Sequence, residues 1–427
     1  MARVLIETYG CTLNQADSDL METRLVGEGY DVDREGAEDS GAYDYVIVNT
    51  CTVKQPTEQK ILHRLGKLGD KGSHLVVAGC MASANSDRIR KVAPSASIVT
   101  TSNVTKIADA LHQIGSGQRV TFDKYAVVDK VTGFMAKDSV IARIPVSEGC
   151  LSSCNFCETK FARGPLHSFS EELILKAIHM SVERGAREIQ LASQDTGAYG
   201  LDKNTNIAEL AIRASRLDGD FRIRIGMLNP EHLHRYFDQL VEALKQEKVY
   251  KFVHLPVQSG SDKVLEEMGR GYTIAEFKRY ADALRAEVPG ISIETDIIVG
   301  YPTENDEDFE ASLRIVEDLK PVVINVSRFG ARPHAKSARL KQLNNAVVKE
   351  RSIRMHRVAR RVEQERGAQC MGKRARLLIT EHHNSSVSGR DDSYRQVGLV
   401  ESKPALGTFI EAEIVGNSYA CLLARHV

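Results

Sequence analysis

The alternation of strand-like and helix-like segments is the feature that most constrains this chain. Strands separated by helices pair in parallel, with helices packed on the sheet. Within residues 1–125, short apolar or β-branched runs alternate with helix-like stretches such as Ser18–Glu28 and Gln59–Leu68. The predicted strands of this part are Val4–Thr8, Tyr45–Asn49, His74–Ala78 and Ser97–Thr101. We therefore predict an α/β chain that begins with a parallel α/β domain over residues 1–125.

A second run of alternating segments begins after residues 126–139, a stretch of weak periodicity that we interpret as a linker. The predicted strands are Ile141–Val146, Glu188–Ala192, Arg222–Met227, Phe252–Val257, Ser292–Val299 and Val322–Phe329. Ser168 with Glu171, and Thr273 with Glu276, have the spacing of a capping box and predict helix starts. Six strand–helix units over residues 140–331 predict a partial (β/α)6 barrel rather than a closed barrel of eight units.

The chain changes character after residue 331. Residues 332–366 contain eleven Lys or Arg side chains and three Glu, and we predict that most of them form one basic helix. Short and closely spaced strand-like runs occupy residues 367–427, namely Ala375–Thr380, Val397–Val400, Thr408–Ile414 and Tyr419–Ala424. This pattern predicts a small C-terminal β-barrel.

Composition restricts the partners. The 57 basic and 57 acidic side chains balance, so any attraction for nucleic acid must be local. No run approaches the ~20 apolar residues that span a bilayer, and a strand-like segment begins at Val4 without an apolar leader. We expect a cytoplasmic protein with no membrane partner. Its eight cysteines are then metal ligands, catalytic groups or packing residues rather than disulfides.

Cys150, Cys154 and Cys157 lie within eight residues, directly after the first predicted barrel strand. Three thiolates at this spacing can ligate three irons of a 4Fe-4S cluster and leave the fourth open. The open iron would chelate S-adenosylmethionine for reductive cleavage to a 5′-deoxyadenosyl radical, and Phe156 would shield the cluster from water. The alternative is a zinc knuckle. Structural zinc takes four ligands, and the nearby candidate His167 lies outside the usual spacing.

Three further cysteines are far apart in sequence, but Cys11, Cys51 and Cys80 each follow the end of a predicted strand. Ligands of open parallel sheets bind at the carboxyl ends of the strands, so these thiols should converge on one edge. We predict that they hold a second 4Fe-4S cluster. The alternative is three buried structural cysteines, which is how we interpret Cys370 and Cys421.

Motifs around these cysteines and the later strands are long enough to be specific. They are Thr8–Gln15, Asn49–Val53, Ala78–Cys80, Cys150–Cys157, Leu191–Gly200, His254–Ser261 and Thr295–Gly300. Together they resemble the radical S-adenosylmethionine methylthiotransferase family over essentially the whole chain. Asn49–Lys60 and Ser193–Gly200 are most similar to the archaeal and eukaryotic branch that acts on threonylcarbamoyladenosine in tRNA.

The final β segment resembles the small RNA-binding barrel of this family, the TRAM domain. The sequence departs from the family in two ways: His334 stands where glycine is usual, and the terminal barrel is only weakly basic. The second departure shifts the expected RNA contacts to the basic segment. The predicted RNA-contact residues are Lys349, Arg351, Arg354, Arg357, Arg360 and Arg361.

The resemblance implies that C2 of N6-threonylcarbamoyladenosine becomes methylthiolated, at position 37 in the tRNA anticodon loop. Two S-adenosylmethionine molecules would be used per turnover, together with an electron donor that the sequence does not identify. The first cysteine triad would generate the radical and the second would carry the sulfur, with the adenine between them. The polar candidates for S-adenosylmethionine contact are Gln194, Asp195, Arg224, Gln258 and Ser259.

Three alternatives remain open at this point. The substrate is another tRNA adenosine, or it is a ribosomal-protein side chain as in a second branch of the same family. The third alternative is an iron–sulfur RNA-binding protein without catalysis, which predicts no cleavage of S-adenosylmethionine. The oligomeric state is also open.

Overall fold

The computed structural model describes residues 1–34, 42–69, 74–382, 386–418 and 421–427. It contains an N-terminal parallel sheet, a partial barrel and a closed C-terminal barrel, in that order along the chain. The predicted fold class is confirmed. Within the described ranges, no helix is long and apolar enough to cross a membrane.

The N-terminal region is a six-stranded parallel sheet. Its strands are β1 (Arg3–Thr8), β2 (Asp31–Asp33), β3 (Tyr45–Thr50), β4 (His74–Gly79), β5 (Ser97–Val99) and β6 (Thr121–Phe122), in the order β2-β1-β3-β4-β5-β6. Its helices are α1 (Thr12–Gly27), α2 (Gln55–Gly69), α3 (Cys80–Ala84), α4 (Ser86–Val92) and α5 (Ile107–Gly115). Separate apolar cores lie on the two faces, which is why the central strands carry continuous apolar runs such as Val46–Val48. Edge strands β2 and β6 are short and were not predicted.

Six parallel strands form the partial barrel. They are β7 (Ile141–Pro145), β10 (Glu188–Ala192), β11 (Arg222–Ile225), β12 (Phe252–His254), β13 (Ser292–Val299) and β14 (Val323–Arg328); β8 (Ser147–Glu148) and β9 (His167–Ser168) pair beside them. The helices are α6 (Thr159–Arg163), α7 (Glu171–Glu183), α8 (Ile207–Ser215), α9 (Phe237–Lys245), α10 (Asp262–Glu267), α11 (Ile274–Glu287) and α12 (Asp306–Leu319). Two three-stranded sheets, β7-β10-β11 and β12-β13-β14, join through isolated bridges such as Met227 to His254.

One of the two predicted capping boxes is present. Thr273 and Glu276 cap α11 reciprocally. The prediction for Ser168 is wrong, because this residue lies in β9 and its hydroxyl accepts a hydrogen bond from the backbone N–H of Gly200 at 2.8 Å. Helix α7 is capped instead by Ser170, two residues later.

Helix α13 (Asn345–Ala368) covers the open edge of the partial barrel beside β14 and fills most of the predicted basic segment. Near the start of the helix, Arg351 pairs with Glu304, just past the carboxyl end of β13. Near its end, Glu363 accepts a hydrogen bond from the backbone N–H of Ile324, at the beginning of β14. The helix therefore runs along the full height of the barrel strands.

The C-terminal barrel is closed and has five strands. They are β15 (Arg374–His382), β16 (Val387–Asp391), β17 (Gln396–Val400), β18 (Phe409–Asn417) and β19 (Leu422–His426), in the order β15-β16-β17-β19-β18. The first two residues of the predicted strand at 419–424 lie outside the described residues. Strand β16 was not predicted, because four of its five residues are not apolar.

The turn between β16 and β17 docks the terminal barrel on the partial barrel. The hydroxyl of Tyr394 accepts a hydrogen bond from Gln190 at 3.1 Å, and its ring lies 4.9 Å from those of Tyr250 and Phe252. The backbone of Lys251 donates a hydrogen bond to the turn at 2.8 Å. These contacts close the amino-terminal end of the barrel strands, opposite to the end that carries the cysteine loop.

Candidate active site

Cys11, Cys51 and Cys80 follow the ends of β1, β3 and β4, which are adjacent in the sheet. Their convergence is visible at Asn14, whose Oδ1 lies 3.6 Å from Cys11 Sγ and 3.7 Å from Cys80 Sγ. Gly10 has φ +122°, and a Cβ there would lie 2.8 Å from Cys51 Cβ, so this close approach requires glycine. The structure thus brings the three predicted thiols together at the carboxyl ends of three adjacent strands.

The protonation of this thiol group depends on its surroundings. Burial raises the pKa of Cys51, and it raises that of Cys80 to about 12. At Cys80 the Arg163 guanidinium opposes this rise, while the other two thiols of the group add to it. Metal binding requires thiolates, so iron would displace the thiol protons on entering this site.

The loop of Cys150, Cys154 and Cys157 lies between β8 and α6. Gly149 has φ +76°, and a Cβ there would overlap the carbonyl oxygen of Pro165 at 1.9 Å. The backbone N–H of Cys150 donates to the carbonyl of Gly164 at 3.2 Å. The base of the loop is therefore fixed by backbone contacts that only glycine permits at position 149.

Two of these sulfurs have donors directed at them. Arg270 Nη1 lies 3.2 Å from Cys154 Sγ, and the backbone N–H of Thr159 donates to Cys157 Sγ at 3.3 Å. Burial raises the pKa of Cys150 and of Cys154, and at Cys154 the Arg270 guanidinium opposes the rise. Donors of this kind stabilise thiolates.

Each triad offers three thiols, the side chains that hold iron–sulfur clusters. In the described part of the chain, no three His, Cys, Asp or Glu side chains are grouped to hold one metal ion. In a cluster each thiolate binds a different iron, so three thiolates need not converge on one ion.

Gln194 and Asp195 follow β10 at the barrel mouth, where we predicted contact with S-adenosylmethionine. Gln194 Oε1 and Asp195 Oδ2 are both buried without a hydrogen-bond partner in the structure, although His232 Nε2 lies 3.3 Å from Asp195 Oδ2. The other carboxylate oxygen accepts from the backbone N–H of Gly197 at 3.0 Å. Gln194 Oε1 is thus a buried acceptor without a partner, and it fits an ammonium donor, which is what the methionine end of S-adenosylmethionine presents.

The other predicted cofactor contacts occupy different settings. Phe156 packs on the apolar cluster around Met268. Gln258 follows β12 in a left-handed conformation with φ +69°. Ser259 is fully buried, and its hydroxyl accepts from the backbone N–H of Ser261 at 3.2 Å.

Arg224 lies deeper than we expected for a cofactor contact. Its guanidinium carbon is 5.5 Å from the ring centroids of Phe252 and of Tyr394, at the closed end of the barrel. Its Nε is buried without a hydrogen-bond partner. The structure therefore places Arg224 against the docking turn of the terminal barrel.

Both triads border the same domain interface. Cys80 and Ala84 of α3 share an apolar cluster with Ala162 of α6, the helix that follows the Cys150–Cys157 loop. On the other side, Arg332 Nη1 pairs with Glu58 of α2 at 2.9 Å. The two thiol triads are thus carried by elements that pack on each other.

The Cys51 loop also faces the barrel mouth. A Cβ on Gly330, shortly after β14, would lie 3.1 Å from Gln55 Oε1. Inside the barrel, Asp296 pairs with His254 at 3.0 Å. Burial alone would raise the pKa of Asp296, but His254, Asn325 and the charge of Lys54 lower it below its usual value. Lys54 is three residues after Cys51, so this loop acts electrostatically on the barrel interior.

The six basic side chains predicted to contact RNA differ in accessibility. Arg351 is only 4% exposed and pairs with Glu304 at 2.7 Å, so the expectation that it contacts RNA does not hold. Arg354 and Arg361 are accessible but pair with Glu310 and Glu317 of α12. Lys349, Arg357 and Arg360 are exposed. Arg357, Arg360 and Arg361 line an open groove of about 670 Å³ together with Arg328 and His356.

Sequence reasoning missed two arginines that contact the predicted thiols. Arg270 and Arg163 are distant in sequence from the cysteines they contact, by 116 and 83 residues respectively. Neither lies in a cysteine motif, so only the tertiary structure reveals them.

Comparison with known proteins agrees with the fold and with the family that the motifs resemble. Residues 144–316 match the family model described as "Radical SAM superfamily", and residues 3–101 match "Uncharacterized protein family UPF0004". The fold is similar to that of the radical S-adenosylmethionine methyltransferase TsrM from Kitasatospora setae, with a TM-score of 0.57 at 15% identity over 79% of this chain and 74% of that one. The chain is a radical S-adenosylmethionine protein, a class that uses S-adenosylmethionine and a 4Fe-4S cluster.

Relatives specify the family. The chain is 40% identical to a probable threonylcarbamoyladenosine tRNA methylthiotransferase of Archaeoglobus fulgidus, over 99% of this chain and 98% of that one. Identity is 38% to the Pyrococcus horikoshii protein of that name, over 100% and 99% of the two chains. Identity is 32% to the human threonylcarbamoyladenosine tRNA methylthiotransferase, over 96% of this chain and 72% of the human one. The chain belongs to the threonylcarbamoyladenosine tRNA methylthiotransferase family, as its motifs predicted.

Proposed function

We propose that this protein adds a methylthio group to C2 of N6-threonylcarbamoyladenosine at position 37 of tRNA, in the cytoplasm. The observation that carries the proposal is the pair of thiol triads on packed elements of one domain interface. A single triad supports radical formation alone, whereas the second offers a separate site for sulfur beside it.

The two cysteine triads and the acceptors at the barrel mouth would have separate roles. Cys150, Cys154 and Cys157 would hold one 4Fe-4S cluster, and Gln194 with Asp195 would receive the amino group of S-adenosylmethionine. Cys11, Cys51 and Cys80 would hold the second cluster. When bound, these groups would supply a 5′-deoxyadenosyl radical and a transferable methylthio group. One S-adenosylmethionine would be cleaved to the radical with an electron from a reductant, the second would give the methyl group, and a sulfide-level sulfur donor would give the sulfur.

The protein's part is placement and exclusion of water. Chemistry at C2 requires the adenine to leave its stack and enter between the two triads. The loop of Lys54 and the barrel interior around Asp296 would border that space, since the charge of Lys54 acts on Asp296. A flipped base from a single-stranded loop suits this arrangement better than a base inside a duplex.

The groove beside α13 is the proposed contact with the tRNA backbone. Arg357 is exposed there, whereas Arg354 on the same helix is engaged by Glu310. Phosphate contacts by such side chains position the RNA without reading its sequence. Arg351 is excluded from this set because it is buried in its ion pair with Glu304.

Replacing Arg357 by alanine should weaken tRNA binding and lower the slope of log K against log salt by about 1, for the lost phosphate contact. Fluorescence anisotropy with labelled tRNA between low and moderate salt measures this slope. Arg354→Ala is the matched control on the same helix and should leave the slope near that of the parent. An unchanged slope in Arg357→Ala would exclude the groove as the RNA site.

Nucleoside analysis of tRNA tests the function directly. A strain that lacks the gene should lose 2-methylthio-N6-threonylcarbamoyladenosine and accumulate the unthiolated nucleoside, and the wild-type gene should restore it. Persistence of the methylthio nucleoside would contradict the proposal. Loss from a different adenosine, or from a ribosomal protein, would select one of the alternative substrates.

A further inference from the structure

Arg163 is a fully buried arginine with every part of its guanidinium engaged. Its Nε lies 3.2 Å from Cys80 Sγ, and its Nη1 is 3.0 Å from Glu148 Oε1. Its Nη2 donates to Asp17 Oδ2 at 2.8 Å and to Asn14 Oδ1 at 3.0 Å. The side chain is 0% exposed, so none of these interactions is screened by water.

This residue crosses the interface between the two domains. Arg163 ends α6, six residues after Cys157, whereas Cys80, Asn14 and Asp17 belong to the N-terminal region. The guanidinium therefore reaches the second thiol triad from the segment that follows the first one. The surroundings of Cys80 are complete only when the barrel is docked on the N-terminal sheet.

Charge balance among the buried groups around Arg163 does not require its contact with Cys80. Lys130 pairs with Asp17 at 2.7 Å and with Glu148 at 2.7 Å, and it is also buried. Two carboxylates and two cations already neutralise each other, as buried charges require. The arginine nonetheless directs its Nε at the sulfur, where Lys130 makes no contact.

We propose that Arg163 tunes the cluster held by Cys11, Cys51 and Cys80 by donating a hydrogen bond to the Cys80 sulfur. This inference rests on the proposed second cluster. A positive charge and a hydrogen bond at a ligating sulfur stabilise the reduced, more electron-rich cluster, and so raise its reduction potential. Arg163 is a positioning residue in this role, because it acts through Cys80. Arg270 at Cys154 is the corresponding donor at the other triad.

The experiment uses the full-length chain with Cys150, Cys154 and Cys157 replaced by alanine, so that only the second cluster is reconstituted. Its midpoint potential is measured anaerobically by redox titration monitored by electron paramagnetic resonance. Arg163→Lys keeps the charge beside Asp17 and Glu148 but shortens the donor. We expect a lower midpoint potential with an unchanged iron content of about four per chain. Arg163→Gln should lower the potential further and reduce the iron bound.

Lys130→Gln is the matched control, because it disturbs the same two carboxylates without touching a thiol. It should destabilise the chain while leaving the midpoint potential close to that of the parent. A parental potential in Arg163→Lys, or an equal shift in Lys130→Gln, would overturn the tuning role. If Arg163→Gln does not fold, Arg163→Lys alone decides. A background protein that binds no iron would overturn the second cluster itself, which separates that failure from failure of the tuning role.

Discussion

Cys154→Ala should form no 5′-deoxyadenosine above background, and its iron content should fall from about eight to about four per chain after anaerobic reconstitution. The physical reason is that two remaining thiolates no longer fix a cluster with one open iron beside Gln194 and Asp195. The assay incubates the reduced protein with S-adenosylmethionine and quantifies 5′-deoxyadenosine by chromatography.

Cys421→Ala is the control for loss of a thiol as such. Cys421 is half-buried just before β19, in the terminal barrel, far along the chain from both triads. This variant should keep the parental iron content and product yield. Parental formation of 5′-deoxyadenosine by Cys154→Ala would show that the radical cluster has been assigned to the wrong cysteines.

Cys80→Ala should separate the two halves of the reaction. We expect it to retain formation of 5′-deoxyadenosine, because the Cys150–Cys157 loop is intact, and to lose methylthiolated tRNA product. Its iron content should also fall to about four per chain. Chromatography of 5′-deoxyadenosine and mass spectrometry of digested tRNA measure the two outputs in the same reaction.

The alternative of three structural cysteines predicts a different pattern for Cys80→Ala. Replacing one small buried side chain typically costs about 1 kcal/mol, which is small against a folding free energy of about 5–15 kcal/mol. A structural cysteine would therefore leave both outputs nearly intact, or lower them together. Methylthiolated product at the parental level would refute the second cluster.

The cysteine groups were predictable because their signals are local or topological. Cys150, Cys154 and Cys157 are close in sequence, and the other three share the position after a strand. Because the carboxyl ends of adjacent parallel strands meet at one edge, β1, β3 and β4 suffice to predict the convergence. The fold class followed from the same alternation of strands and helices.

Features that depend on partners distant in sequence were not predictable. Arg351 looks like its neighbours in the basic segment, and only its proximity to Glu304 on another element shows that it is buried. The hydroxyl of Ser168 accepts a hydrogen bond from the backbone N–H of Gly200 and caps no helix. Arg163 and Arg270 required tertiary contacts for the same reason. Charge and spacing do not specify which group a side chain meets across a domain interface.

Helix α13 sets the distance between the terminal barrel and the mouth of the partial barrel. Its 24 residues extend about 36 Å, from the terminal barrel that is docked at the closed end of the strands to the mouth where the cysteines lie. The docking turn at Tyr394 prevents the terminal barrel from swinging without breaking its contacts with Gln190 and Tyr250. An RNA bound along this helix would therefore span a fixed distance between the terminal barrel and the mouth. The base that reaches the reaction centre would be chosen by its distance along the folded RNA.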